Sequence, residues 1–190
     1  VMWAILPMML VNYAPVGALR GLWIGPYLSD VFDLSTTQVG QATLIMGLAM
    51  IAGTLSYGPL DRVFGTRKWG VCFGNLACTA SLFLLVLTID RNVFLSVGLI
   101  ALIGFLGGSF PVIIAHGRSF FPPELVGRGV TLMNLFGIGG VGLMQFASGR
   151  VHETLTGATA TTPFVAIFLF FALVLLTGTL IYAFSRDSLD

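Results

Sequence analysis

TLTGATATTPFVAIFLFFALVLLTGTLIYAFS (154–185) contains no Asp, Glu, Lys or Arg. A helix needs about 20 predominantly apolar residues to cross a hydrocarbon core about 30 Å thick, so this run spans a bilayer with length to spare. Four other runs are equally free of charge: 34–60, 69–89, 92–117 and 129–149. The first 32 residues make a sixth candidate, interrupted only by Arg20 and Asp30.

Composition agrees. Mean hydropathy is +0.97 and only 9% of residues are charged, against about 25% in a soluble domain. A soluble core of this size cannot hide so much apolar surface. In lipid the backbone must satisfy its own hydrogen bonds, which leaves helices or a closed barrel. The runs are too continuously apolar for the alternating strands of a barrel. The expected fold is therefore an all-α membrane protein of six transmembrane helices, with the lipid bilayer as its first partner. A net charge of +1 points to no acidic partner and no nucleic acid.

The spans are expected at about 2–32, 36–58, 69–89, 93–117, 125–149 and 163–185, forming one six-helix transmembrane domain over 1–190. The opening residues lack a basic stretch and a small-residue cleavage site, so they read as a span rather than a signal peptide. Asp33 and Ser35 are placed to cap the second helix. Pro122-Pro123-Glu124 suits the first turn of the fifth. Six spans put both ends of the chain on one side. The loops after helices 2 and 4 and the end of the chain hold Arg62, Arg67, Lys68, Arg118, Arg128 and Arg186, against Arg91 and Arg150 on the other side. The positive-inside rule then places both termini in the cytoplasm, with a bacterial inner membrane as the expected location.

An internal echo is visible. GLWIGP (21–26) is followed by VGQATL (39–44), and GGSFP (107–111) by VGRGVTL (126–132). A 3+3 repeat of this kind is the construction of secondary transporters.

Few residues carry chemistry. Arg20 is the one cation expected inside a span, where charges face a cavity or a partner. Tyr13, Arg20 and Tyr27 are seven apart and fall on one face of a regular helix, with Asn12 about 80° from Arg20. Two readings are open: a polar stripe along a solute path with Arg20 holding an anionic group, or an arginine snorkelling to headgroups. Asn134, Gln145, Gln41 and Thr43 divide between the same solute path and interhelical hydrogen bonds. Gly17, Gly21 and Gly25, with Gly137 and Gly140, suit close helix packing, or helices that rock between two states. Pro7, Pro15, Pro26 and Pro111 are expected to kink their helices. Cys72 and Cys78 are about 9 Å apart along one helix and about 120° apart around it, too far to pair. His116 and His152 belong to opposite ends of the bundle. No cluster suggests a metal, a cofactor or a catalytic constellation, so no enzyme is expected. The Phe-rich FVAIFLFFALVLL (164–176) suits either lipid or a partner.

The loop GPLDRVFGTRK (58–68) resembles the signature loop of the major facilitator superfamily, in which Gly, Asp-Arg, Gly and a basic pair join the second and third helices of each six-helix half. RSFFPPELVGRGVTLMN (118–134) is similar to the family's loop between fourth and fifth helices, and LRGLWIGPYLSDVFDLS (19–35) to the start of its C-terminal half. The spacing departs from the family pattern: Gly58 precedes Asp61 by three positions instead of four, one extra residue separates Arg62 from Gly65, and Thr66 displaces the basic pair. The resemblance implies gating positions at Gly58, Asp61, Arg62, Gly65, Arg67 and Lys68. It implies half of a secondary transporter that moves a small solute, an organic anion by the hint of Arg20, through alternating access with another six-helix half. The alternative expectation is a transport-dead half serving as a structural subunit beside other membrane-protein subunits, for example in a photosynthetic or respiratory assembly.

Overall fold

The computed structural model describes residues 2–155, 157 and 159–187, with the side chains of residues 60, 61, 62 and 64 left out. Among the described residues it has six helices long and apolar enough to cross a membrane. α1 covers Met2–Phe32, α2 Thr36–Phe64, α3 Lys68–Leu87, α4 Val93–Arg118, α5 Pro123–Thr154 and α6 Thr162–Tyr182.

Local chemistry sets most of the ends. Ser35 and Gln38 form a reciprocal capping box at the start of α2, satisfying two orphan amides. Asp33 does not share that task. It adopts the left-handed conformation at φ 53° and terminates α1, a position that Asp tolerates better than most residues. The Asn92 side chain accepts from the amides of Phe94 and Leu95 and starts α4. α2 runs through Pro59 to Phe64, beyond its expected end at 58, and stops where Gly65 turns left-handed at φ 62°. Much of the signature loop is thus helix. α5 likewise runs to Thr154 instead of ending at 149, which puts Arg150 and Glu153 three apart on a helix, where they pair at 3.0 Å.

Two helices are broken. α1 is regular over Met2–Asn12 and Ala14–Ala18, becomes a π-helical turn over Leu19–Trp23, and resumes over Ile24–Phe32. α4 passes through a 3₁₀ turn at Gly107–Ser109 before Pro111. Pro15 and Pro111 stand beside these breaks, whereas Pro7 lies inside an uninterrupted helix.

The helix contacts follow a two-fold exchange. α1 packs on α5 and α6, α2 on α4, and α3 on α4 and α6. Exchanging the first three helices for the last three turns the α2–α4 contact into α5–α1 and the α1–α6 contact into α4–α3, while α3–α6 maps onto itself. Atomic detail repeats the exchange. A Cβ at Gly53 of α2 would lie 2.0 Å from the Phe105 carbonyl oxygen, and one at Gly140 of α5 would lie 2.0 Å from that of Leu10. Gly53 and Gly140 are 87 residues apart, as are Val39 and Val126 of the sequence echo. The carbonyls they face pair Leu10 with Phe105, 95 residues apart, so Pro15 falls one position from the mate of Pro111. In the first helices the echo therefore runs through Pro15 and not through GLWIGP.

α1 is the centre of the bundle. In its most apolar stretch 61% of residues are buried, against 17% for α2 and 22% for α5. Phe164, Phe168 and Phe171 of α6 are fully buried. Phe164 and Phe168 pack edge-on against Tyr27 at 5.5 and 5.2 Å between centroids. The Phe-rich stretch therefore turns its aromatic side inward and builds core, since rings of this size gain most from dense contact with one another.

Candidate solute groove

The π-helical turn decides which polar residues of α1 meet. Its signature is the Ile24 amide donating to the Leu19 carbonyl five residues back. Such a turn holds about one residue more than an α turn, so everything after it is rotated by about 100° relative to a regular helix. Arg20 is left exposed on the turn itself. Tyr27, expected on the same stripe, is swung into the core. It is fully buried, and its hydroxyl donates to the Ile89 carbonyl at 2.6 Å and meets the Ser96 hydroxyl at 2.9 Å. Tyr27 lines no path.

Arg20 and Tyr13 do share a cavity of about 520 Å³ with Thr43, Gly47, Met50 and Thr54 of α2. The guanidinium lies over Gly47, where a Cβ would be 3.7 Å from Nη2. A neighbouring cavity of about 330 Å³ shares Tyr13, Met50 and Thr54 and continues past Gly107, Phe110 and Pro111 of α4 to Asn134 of α5. Shared walls make the two one groove between α1, α2, α4 and α5. Tyr13 stands at their junction, its ring 5.5 Å from Phe110. Among the described residues lining the groove none is acidic. Arg20 is therefore its one full charge, on a segment whose backbone departs from α geometry. Turns of this kind recur at functional sites.

Other expected residues fall elsewhere. Asn12 is fully buried and its amide donates to Asn75 Oδ1 and Ser109 Oγ, both at 2.8 Å. Asn75 completes the knot by donating to Ser109 at 3.2 Å and to the Val71 carbonyl at 2.8 Å. Asn12 thus takes the interhelical reading, joining α1, α3 and α4. Gln145 is half-buried and faces Gly21, where a Cβ would be 3.1 Å from its amide nitrogen. Gln41 is exposed beside Gln38 in a separate hollow. Gly17 faces Val141, Gly25 faces Val39 and Gly137 faces Phe110. Cys72 and Cys78 are buried and unpaired.

At the signature loop, the side chains of Asp61 and Arg62 lie outside the described residues, and Gly58 is exposed with open space beside it. Among the described residues, the carboxylate at the start of α3 is that of Asp187. It accepts from the Thr66 hydroxyl and, at 3.4 Å each, from the amides of Arg67 and Lys68. The positive end of the helix dipole favours a carboxylate there. The segment leading to Asp187 is held by His116 of α4. One of its ring nitrogens meets the Tyr182 hydroxyl at 2.6 Å and the other the Arg186 carbonyl at 2.8 Å. A carbonyl only accepts, so Nε2 carries the proton and Nδ1 accepts from the tyrosine. Asp187, Asn75, Ser109 and Thr54 escaped the sequence reading. Asn75 alone offered a signal, as an amide in the middle of an apolar run.

Six apolar spans in two exchangeable sets of three, with a groove opening between them, define an integral membrane protein built as a 3+3 repeat. The family model of the Major Facilitator Superfamily matches residues 5–189, and the chain belongs to that family, whose members are membrane transporters. No curated protein matches the chain.

Proposed function

We propose that the chain is one six-helix half of a transporter that carries a small organic anion by alternating access. The observation that carries this reading is Arg20, exposed on a π-helical turn in a groove whose described lining holds no acidic residue. The groove is flanked by α2 and α5, the least buried helices. A second six-helix half laid across them, in the same or another polypeptide, encloses the groove and covers Leu48, Ile51 and Leu55 of α2 and Leu135, Ile138 and Phe146 of α5, all exposed. The signature-loop residues Gly58, Asp61, Arg62, Gly65, Arg67 and Lys68 are the gate in this reading, and Asp187 on the α3 amides is a contact that forms in one state and breaks in the other. Both termini are cytoplasmic, in a bacterial inner membrane.

Uptake of labelled organic anions into proteoliposomes tests this directly. Uptake that is lost in Arg20→Gln supports it. Isolation of the chain in one stoichiometric copy within a larger membrane complex, without uptake of any anion, refutes it and favours a structural subunit.

A further inference from the structure

A second cavity, of about 500 Å³, opens on the opposite side of α2, between α2 and α3 with α4 as its floor. Its walls are Ser56 and Tyr57, Thr66, Trp69, Gly70, Phe73, Gly74 and Ala77, and Phe105 and Leu106. Along its length it offers almost nothing to a polar ligand. The Tyr57 hydroxyl is already committed, donating to the Leu106 carbonyl at 2.9 Å, and Phe73 is 66% exposed. One end is different. There Trp69 stands at the start of α3 with the Lys68 ammonium 4.9 Å from its ring centroid. Aromatic and basic residues together are the pattern of a membrane–water interface.

We propose that this groove holds an acyl chain of an anionic phospholipid, with the headgroup phosphate at Lys68. From Trp69 to Ala77 the groove follows α3 for eight residues, about 12 Å at the helical rise, with Thr66 just before the helix start. Half of a hydrocarbon core is about 15 Å. The groove therefore lies within the depth of one leaflet and is too short for a spanning helix of a partner. Its ends match the two ends of a lipid: apolar walls toward the membrane centre and a cation at the interface. Among the described residues, the carboxylate at this end is that of Asp187, which accepts from the α3 amides.

The test uses the whole chain in proteoliposomes containing phospholipids brominated on their acyl chains, which quench tryptophan. The Trp69 signal is the difference between the protein and Trp69→Phe. Phosphatidylglycerol is expected to bind at Trp69 about fivefold more strongly than phosphatidylcholine, the preference one lysine gives an anionic lipid near the surface. Lys68→Ala should bring the ratio to about one, and Ala77→Phe, which fills the groove, should reduce quenching by both lipids. A ratio near one in the unaltered protein overturns the proposal, as does a ratio that survives Lys68→Ala. Trp69 shielded from both lipids also overturns it, by showing that protein covers the groove.

Discussion

Arg20 and Gly140 show how much a single position decides. A neutral replacement at Arg20 removes the only charge that the described groove lining offers an anion. Hydrogen bonds to charged groups contribute about 1.5–3 kcal/mol, so Arg20→Gln should weaken anion binding by roughly 10- to 150-fold, measured by titration in detergent. Thermal stability should change little, since the side chain is exposed. Gly140 gives the opposite profile. A Cβ there meets the Leu10 backbone at 2.0 Å, and backbone cannot rotate away as a side chain can. Gly140→Val should cost about 1–3 kcal/mol or more and lower the midpoint of thermal unfolding. Gly139→Val, with open space beside it, should leave the midpoint near that of the parent.

At the level of elements, the π-helical turn and the α3 start carry the consequences. Because that turn holds one extra residue, deleting Leu22, which is 40% exposed, lets the turn close as α-helix and keeps Tyr27 in its buried register. Inserting one alanine after Trp23 swings Tyr27 and Phe32 out of the core. Thermal unfolding should show the deletion tolerated and the insertion not. At α3, Asp187→Ala removes a carboxylate from the helix start and should cost about 0.5–2 kcal/mol, the range for lost N-caps. Reaction of buried Cys72, one turn inside α3, with a small thiol reagent should quicken accordingly. The sequence made the elements plain because a charge-free run of sufficient length has one outcome in lipid. It hid the π turn, since LRGLW has nothing that forbids ordinary helix, and so it put Tyr27 on the wrong face. Ser35 with Gln38 was legible as a cap because that signal is local. Asp187 was not, because its partners lie about 120 residues away.

For the whole molecule, orientation is the first thing to measure. In a background lacking Cys72 and Cys78, a cysteine at Thr66 should react with an impermeant reagent only from the cytoplasmic side, and one at Thr159 only from the other. The reverse result would invert the assignment of both termini. The 3+3 arrangement was readable as a faint echo because Val39–Gly53 and Val126–Gly140 keep their spacing. Its precise form in α1 and α4 was not, because proline and glycine are frequent throughout both helices and only the contacts show which are equivalent. The groove was half legible: Arg20, Tyr13 and Asn134 stand out as polar residues in apolar runs, while Thr54 and Gly107 matter only through where the backbone places them.

The Asp187 contact also imposes an order in time. Thr66 and Lys68 leave the ribosome long before their acceptor does. At about 5–20 residues per second, the roughly 120 residues between them take about 6–24 s to synthesise. Throughout that interval α3 enters the membrane with its leading amides lacking the carboxylate they finally hold. The contact that closes the signature loop is therefore among the last to form, and it reports that α4, α5 and α6 have already been made.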